Sequence, residues 1–161
     1  VKAAACTPLT PSCRFTNVDP SAPPTLTPGF VAAIEFIILE RARSVRTRRR
    51  EEYRAWKSRV RAAAKLNASG EFLPAARLTI VFLCARALAD VDNVIKPIQD
   101  ALVGIAYQDD VMVTDVESHR RRLSDVPDLA RIPRLLRDSW LAGRECVYVR
   151  VENAPALEEM L

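Results

Sequence analysis

The apolar run Arg77–Arg86 (RLTIVFLCAR) leads into Asp90-Val91-Asp92-Asn93, and a helical repeat of Val94, Ile95, Ile98, Ala101, Leu102 and Ile105 follows at once. Ile80 to Leu83 is continuously apolar and rich in strand formers, which predicts a central, buried strand. The three- and four-residue spacing after Asn93 predicts a helix with one apolar face. Asp92 or Asn93 is a natural N-cap for it, and Pro97 is expected in the first turn, where a missing N–H costs little. Gly104 is expected to loosen or end that helix. Tyr107-Gln108-Asp109-Asp110 then turns the chain into a further strand from Val111 to about Arg120. The chain is thereby committed to strand, acidic turn, helix, acidic turn, strand, and the helix has the length that lets consecutive elements lie side by side.

The acids carry the chemical argument. Asp90 and Asp92 are two residues apart, so on an extended segment leaving a strand both project from one face. Asp109 and Asp110 are adjacent, so one is expected to join the first pair; Asp110 is the choice, with Asp109 orienting it or capping a turn. Carboxylates crowded in this way repel, and a hard divalent cation with oxygen ligands is the simplest compensation. Such a cluster suits phosphodiester hydrolysis, in which a metal ion polarises the phosphoryl oxygen and activates water. Lys96, near the helix start where anions are already favoured, is placed to hold a phosphate oxygen or to stabilise charge developing in the transition state. Its plainer alternative is a salt bridge to Asp100 at i+4, and Asp100 receives a supporting role. Each aspartate alone is more commonly a cap or turn residue, but the order D-x-D-N-x-x-K-x-x-x-D followed by D-D exceeds what capping requires.

The remaining elements follow from the same patterns. Phe30–Leu39 (FVAAIEFIIL) reads as a buried strand, with a helix the alternative by periodicity, and Glu35 stands either near a metal or phosphate or, more simply, at an edge position or paired with an arginine. Arg49–Leu66 reads as a helix whose Tyr53, Trp56, Val60 and Ala63 or Ala64 form an apolar stripe beside a basic stripe of Arg50, Arg54, Lys57, Arg61 and Lys65; Asn67, Ser69 and Gly70 stop it. Pro127–Trp140 reads as helical despite Pro133, and Glu145–Glu152 (ECVYVRVE) alternates as a last strand. The expected architecture is an α/β (α+β) domain, a small mixed β-sheet flanked by helices. Residues 1–29, with Pro8, Pro11, Pro20, Pro23, Pro24 and Pro28, read as a flexible arm, residues 30–153 as the folded domain and 154–161 as a tail. There is no internal repeat.

Charge and cysteine usage narrow the partners. Between Arg41 and Lys65 stand eleven Lys/Arg against Glu51 and Glu52, a local net of +9 in a chain whose total is +4, so the rest is net acidic. A basic segment beside an acidic cluster suits a protein that attracts a polyanion and holds a metal against it. Arg46, Arg48, Arg49, Arg50, Arg54, Lys57 and Arg61 are the residues expected on DNA. His119 is the only histidine, and Cys6, Cys13, Cys84 and Cys146 lack zinc spacing, which disfavours zinc sites and histidine-based triads. Cys84 and Cys146 are expected in the core, and Cys6 and Cys13 as free thiols of the arm. No apolar run suits a bilayer span, and Lys2-Ala3-Ala4-Ala5 is followed by no apolar signal core, so a cytoplasmic, nucleoid-associated protein is expected.

With these residues in view, the segment resembles the RusA family of Holliday junction resolvases, whose members carry the D-x-D-N-x-x-K-x-x-x-D motif and a paired-Asp turn. On that resemblance Asp90 and Asp92 match the first two catalytic acids, Lys96 the catalytic lysine and Asp110 the third acid, while Asn93, Asp100 and Asp109 fall on recurrent motif positions. The match is close from Asp90 to Asp115 and weaker from Phe30 to Glu152. It implies a homodimer, a Mg²⁺ requirement with Mn²⁺ as a substitute, and paired nicking of a four-way DNA junction in recombination and repair. Two symmetric incisions require two identical sites related by a dyad. The proline-rich arm and the Asp125–Gly143 stretch are longer than a minimal member needs. The competing readings are a catalytically silent protein that binds branched DNA and a general nuclease for flaps or RNA.

Overall fold

The computed structural model describes residues 34–42, 49–86 and 92–160. Along the chain come β1 (Ile34–Ile38), α1 (Arg50–Asn67), β2 (Ala76–Cys84), α2 (Asp92–Leu102), a 3-10 turn (Asp110–Met112), β3 (Val113–Arg122), a second 3-10 turn (Leu129–Arg131), α3 (Arg134–Leu141), β4 (Cys146–Asn153) and α4 (Leu157–Met160). The strands form one mixed sheet in the order β1-β4-β2-β3. β4 runs antiparallel to both β1 and β2, whereas β2 and β3 are parallel and joined through α2. The strand–helix–strand unit read from the sequence is therefore the half of the sheet that carries the acidic motif.

Alternation along the strands decides which face the long helices cover. Ala76, Leu78, Ile80 and Phe82 of β2, Val147, Val149 and Val151 of β4, and Ile34, Phe36 and Ile38 of β1 all lie in one core cluster. α1 adds Trp56, Val60 and Ala64 to it, and α2 adds Val94, Ile98, Ala101 and Leu102. Burying each such large side chain contributes about 1.5–3 kcal/mol relative to exposure, so this face supplies most of the hydrophobic drive. The opposite face holds a smaller cluster of Leu83, Leu136, Cys146 and Tyr148, with Trp140 and Ile132 packed against it; α3 contributes Leu136 and Trp140. Cys84 and Cys146 are both buried free thiols, and burial pushes the Cys146 thiol up to about 11.

Several expectations are corrected. Pro133 cannot continue a helix begun at Pro127, and the stretch divides into the 3-10 turn Leu129–Arg131 and the separate helix α3, with Pro133 at its N-cap. Pro97 lies inside α2 and not in its first turn, because the helix already includes Asp92. The 3-10 turn postpones β3 to Val113, and the tail contains the short α4. Glu35 stands opposite Arg150 in the β1–β4 register, a cross-strand pairing of opposite charges. Phe30, the N-terminal arm with Cys6 and Cys13, Arg46, Arg48 and Asp90 lie outside the described residues. No helix among those described is long and apolar enough to cross a membrane.

Candidate active site

α2 carries Asp92, Lys96 and Asp100 at four-residue intervals, so the three stack along one stripe while Val94, Ile98, Ala101 and Leu102 face the core. Asp92 sits in the first turn, exposed, where a carboxylate complements the helix dipole. Its neighbour Asn93 is 9% exposed and its amide lies 3.5 Å from Asp92 Oδ1. One turn on, Lys96 donates to Asp110 Oδ2 and lies 3.2 Å from Asp100 Oδ1. Lys57 of α1 reaches the other Asp100 oxygen, also at 3.2 Å. The result is an alternating row, Lys57, Asp100, Lys96, Asp110, that ties both long helices to the turn before β3.

Asp109 and Asp110 divide their work as adjacent residues must. Asp109 caps the 3-10 turn, Oδ1 accepting from the Val111 amide at 3.3 Å, and Asp110 turns to Lys96. The Lys96 hydrogen bond, helped by Asp109, holds the Asp110 carboxyl below the usual range. Asp110 and then Asp100 hold the Lys96 ammonium above its own usual range. Lys57 and Lys96 pair with Asp100 and Asp110, and Asp92 on the same stripe of α2 and Asp109 in the turn add two further carboxylates. A divalent cation suits the surplus, and the donors are all hard oxygens of the type Mg²⁺ prefers. Asp110 already accepts a cation, the Lys96 ammonium, which supports that fit. Among the described residues no three His, Cys, Asp or Glu side chains are gathered to hold a metal, and Asp90 is not one of those residues.

Two residues that support this site carry no signal in the local sequence. Tyr107 is fully buried, and its hydroxyl donates to the Gln99 carbonyl at 3.0 Å. Burial, followed by the charges of Asp110 and Asp100, pushes the phenol far above its ordinary range. Arg61 donates from Nη1 to the carbonyls of Ala101 at 3.1 Å and Val103 at 2.8 Å. Together they serve carbonyls that the end of α2 leaves without helical donors. These contacts fix α2, and with it Asp92 and Lys96, against α1 and the turn before β3.

The basic segment of α1 is more engaged than its sequence suggests. Arg49 pairs with Glu52 at 3.0 Å, Arg59 with Glu40 at 2.8 Å, and Lys57 and Arg61 are held as above. Arg50 and Arg54 are exposed.

A family model described as endodeoxyribonuclease RusA matches residues 37–130. The matched stretch runs from β1 through α1, β2, α2 and β3 to the second 3-10 turn and so includes every described residue of the site. No curated protein matches the chain.

Proposed function

The chain belongs to the RusA family of endodeoxyribonucleases, and from that premise we propose that it resolves four-way DNA junctions by paired, Mg²⁺-dependent nicking of phosphodiester bonds. The observation that carries the proposal is the Lys96–Asp110 pair, a motif lysine on α2 bonded to a motif acid far along the chain and beside a second acid, Asp100. Asp90, Asp92 and Asp110 are the proposed metal-binding acids. Once bound, Mg²⁺ supplies Lewis-acid polarisation of the phosphoryl oxygen and acidifies water; Mn²⁺ is a fitting substitute.

The chain's own groups account for the rest. Lys96 is half exposed, its side chain at 55%, so its ammonium is free to turn from Asp110 to a phosphate oxygen entering the site. There it stabilises negative charge that grows during attack, an interaction stronger in the transition state than in the ground state. Lys57 keeps Asp100 compensated throughout, and Asn93 and Asp109 orient Asp92 and Asp110. Arg46, Arg48, Arg49, Arg50 and Arg54 would grip duplex arms by backbone charge, with Lys57 and Arg61 at the inner edge of that surface.

Residues 30–153 would form the nuclease domain, with 1–29 an added arm and 154–161 a tail. A homodimer would present two such sites to opposed strands of a junction, matching the substrate's symmetry. The setting for this activity is recombination and repair at the nucleoid, in the cytoplasm. The test is to offer the full chain a synthetic four-way junction, a flap, a linear duplex and an RNA hairpin with Mg²⁺. Symmetric nicks confined to the junction support the proposal. Binding without cleavage would assign it instead to junction recognition, and equal cutting of flap or RNA to a general nuclease.

A further inference from the structure

Three arginines far from the α1 segment converge at the other end of the β2–α2–β3 unit. A pocket of about 360 Å³ opens at the carboxyl ends of β2 and β3, lined by Cys84, Arg86, Arg120, Arg122 and Asp125. Parallel pairing sets Phe82 beside Arg120 and Cys84 beside Arg122, so both arginines project from the face on which Phe82 packs against the helices. Arg86 lies two residues beyond Cys84.

The electrostatics of this pocket are unbalanced. Arg86, Arg120 and Arg122 are all exposed, and none is within salt-bridge distance of a carboxylate among the described residues. The one acid in the lining, Asp125, uses Oδ2 to accept the backbone amide of Arg122 at 2.9 Å and so fixes the turn. Just outside the lining, Glu145 Oε1 accepts the Ala85 amide at 2.9 Å, and the buried Cys84 thiol feels that carboxylate together with the charges of Arg120 and Arg122. Guanidiniums held together in this way repel one another, and a phosphate with its fork-matching oxygens is the anion they suit best.

Position supplies the second argument. β2 and β3 end together at Cys84 and Arg122, whereas Asp110 lies in the turn that leads into β3, so the arginine pocket and Asp110 lie at opposite ends of β3, roughly 25–30 Å apart along the strand. Open α/β units bind ligands in the crevice outside the carboxyl ends of their parallel strands. On α1, by contrast, Lys57, Arg59 and Arg61 are already engaged by Asp100, Glu40 and backbone carbonyls.

We infer that Arg86, Arg120 and Arg122 form a phosphate-binding subsite that holds the DNA backbone of a duplex arm, a strand's length away from the incision. This assignment deepens the nuclease reading and rests on it. It adds Arg120 and Arg122 of β3, and Arg86 just past the end of β2, to the DNA surface expected on α1.

The test measures binding of a labelled four-way junction to the full chain in EDTA across a salt series, and nicking of the same junction in Mg²⁺. The proteins are wild type, Arg86→Gln, the double variant Arg120→Gln/Arg122→Gln, the double variant with lysine at both positions, and Arg131→Gln, which lies away from the pocket. The glutamine double variant is expected to bind about 10-fold or more weakly and to lose about two from the slope of log K against log salt, since each phosphate contact contributes about one. Arg86→Gln, in a bend outside the strands, is expected to lose about one, and the lysine variant to recover most of the slope. Arg131→Gln is expected to match wild type. If wild type nicks the junction while the arginine variants keep its affinity and slope, the subsite is overturned and the nuclease reading stands. If wild type neither binds nor nicks a junction, both are overturned.

Discussion

The Lys96 ammonium is hydrogen bonded to Asp110, fourteen residues later in the chain, and the same nitrogen lies 3.2 Å from Asp100. A lysine shared between two acids is positioned without being committed, since one partner can replace another as substrate arrives. Lys96→Met is expected to slow junction nicking about 10²–10³-fold, the range for losing one well-placed electrostatic donor in an active site. Junction binding in EDTA should stay within a few-fold of wild type. A variant that nicks at the wild-type rate would leave Lys96 as a plain structural salt bridge.

Arg61 is expected to act through stability. Arg61→Ala leaves the Ala101 and Val103 carbonyls unserved at the end of α2, and hydrogen bonds from a charged donor contribute about 1.5–3 kcal/mol. Urea unfolding followed by circular dichroism should show a loss of about 2 kcal/mol. An unchanged midpoint would mean that water serves those carbonyls equally well.

Ile80 is fully buried in the middle of β2, between two strands and in the core cluster to which α1 and α2 contribute. Ile80→Ala should cost ~2–5 kcal/mol through lost burial and the cavity left behind. Thermal unfolding measures this, and a shift no larger than that of a surface substitution would contradict the placement of β2 at the centre.

What the sequence made legible was whatever local spacing controls. β2, α1, α2 and β4 follow from period-two and helical patterns, and the structure moves their ends by one to three residues. The sheet order, with β4 inserted between β1 and β2, depends on long-range pairing that no local pattern encodes. Pro133 shows a local rule underweighted, because a proline within an apolar run divides it into two short helices. The site was half legible. Lys96–Asp100 is a helix-spaced pair and could be read directly, whereas Lys57–Asp100 and Arg61 on the end of α2 join residues some forty positions apart. Tyr107 looked like part of a turn, and only the packed core makes it a buried donor. Arg86, Arg120 and Arg122 are brought together solely by the parallel register of β2 and β3.

Acid dependence should appear at Glu117. Arg77 hydrogen bonds to Glu117 and holds its carboxyl below the ordinary 4.5. A carboxylate depressed in the folded state contributes stability above its unfolded pKa and loses that contribution as pH falls through the folded value. Both partners are partly exposed, so the contribution is about 0–1 kcal/mol. Wild type is therefore expected to exceed Glu117→Gln slightly in stability at neutral pH, with the gap closing below pH 4.5. NMR titration should find Glu117 displaced downward and returned toward the ordinary value in Arg77→Gln. No displacement in wild type would contradict the pairing.

The most direct measurement of the central claim is Mn²⁺ binding, by calorimetry, to wild type and to Asp90→Asn, Asp92→Asn and Asp110→Asn, each also assayed for junction nicking and confirmed folded. If the three acids share one cation, every variant loses at least about 10-fold in Mn²⁺ affinity, the lower bound for disturbing a metal's ligand environment, and nicking falls with it. Wild-type Mn²⁺ affinity and nicking in folded Asp110→Asn would contradict the account.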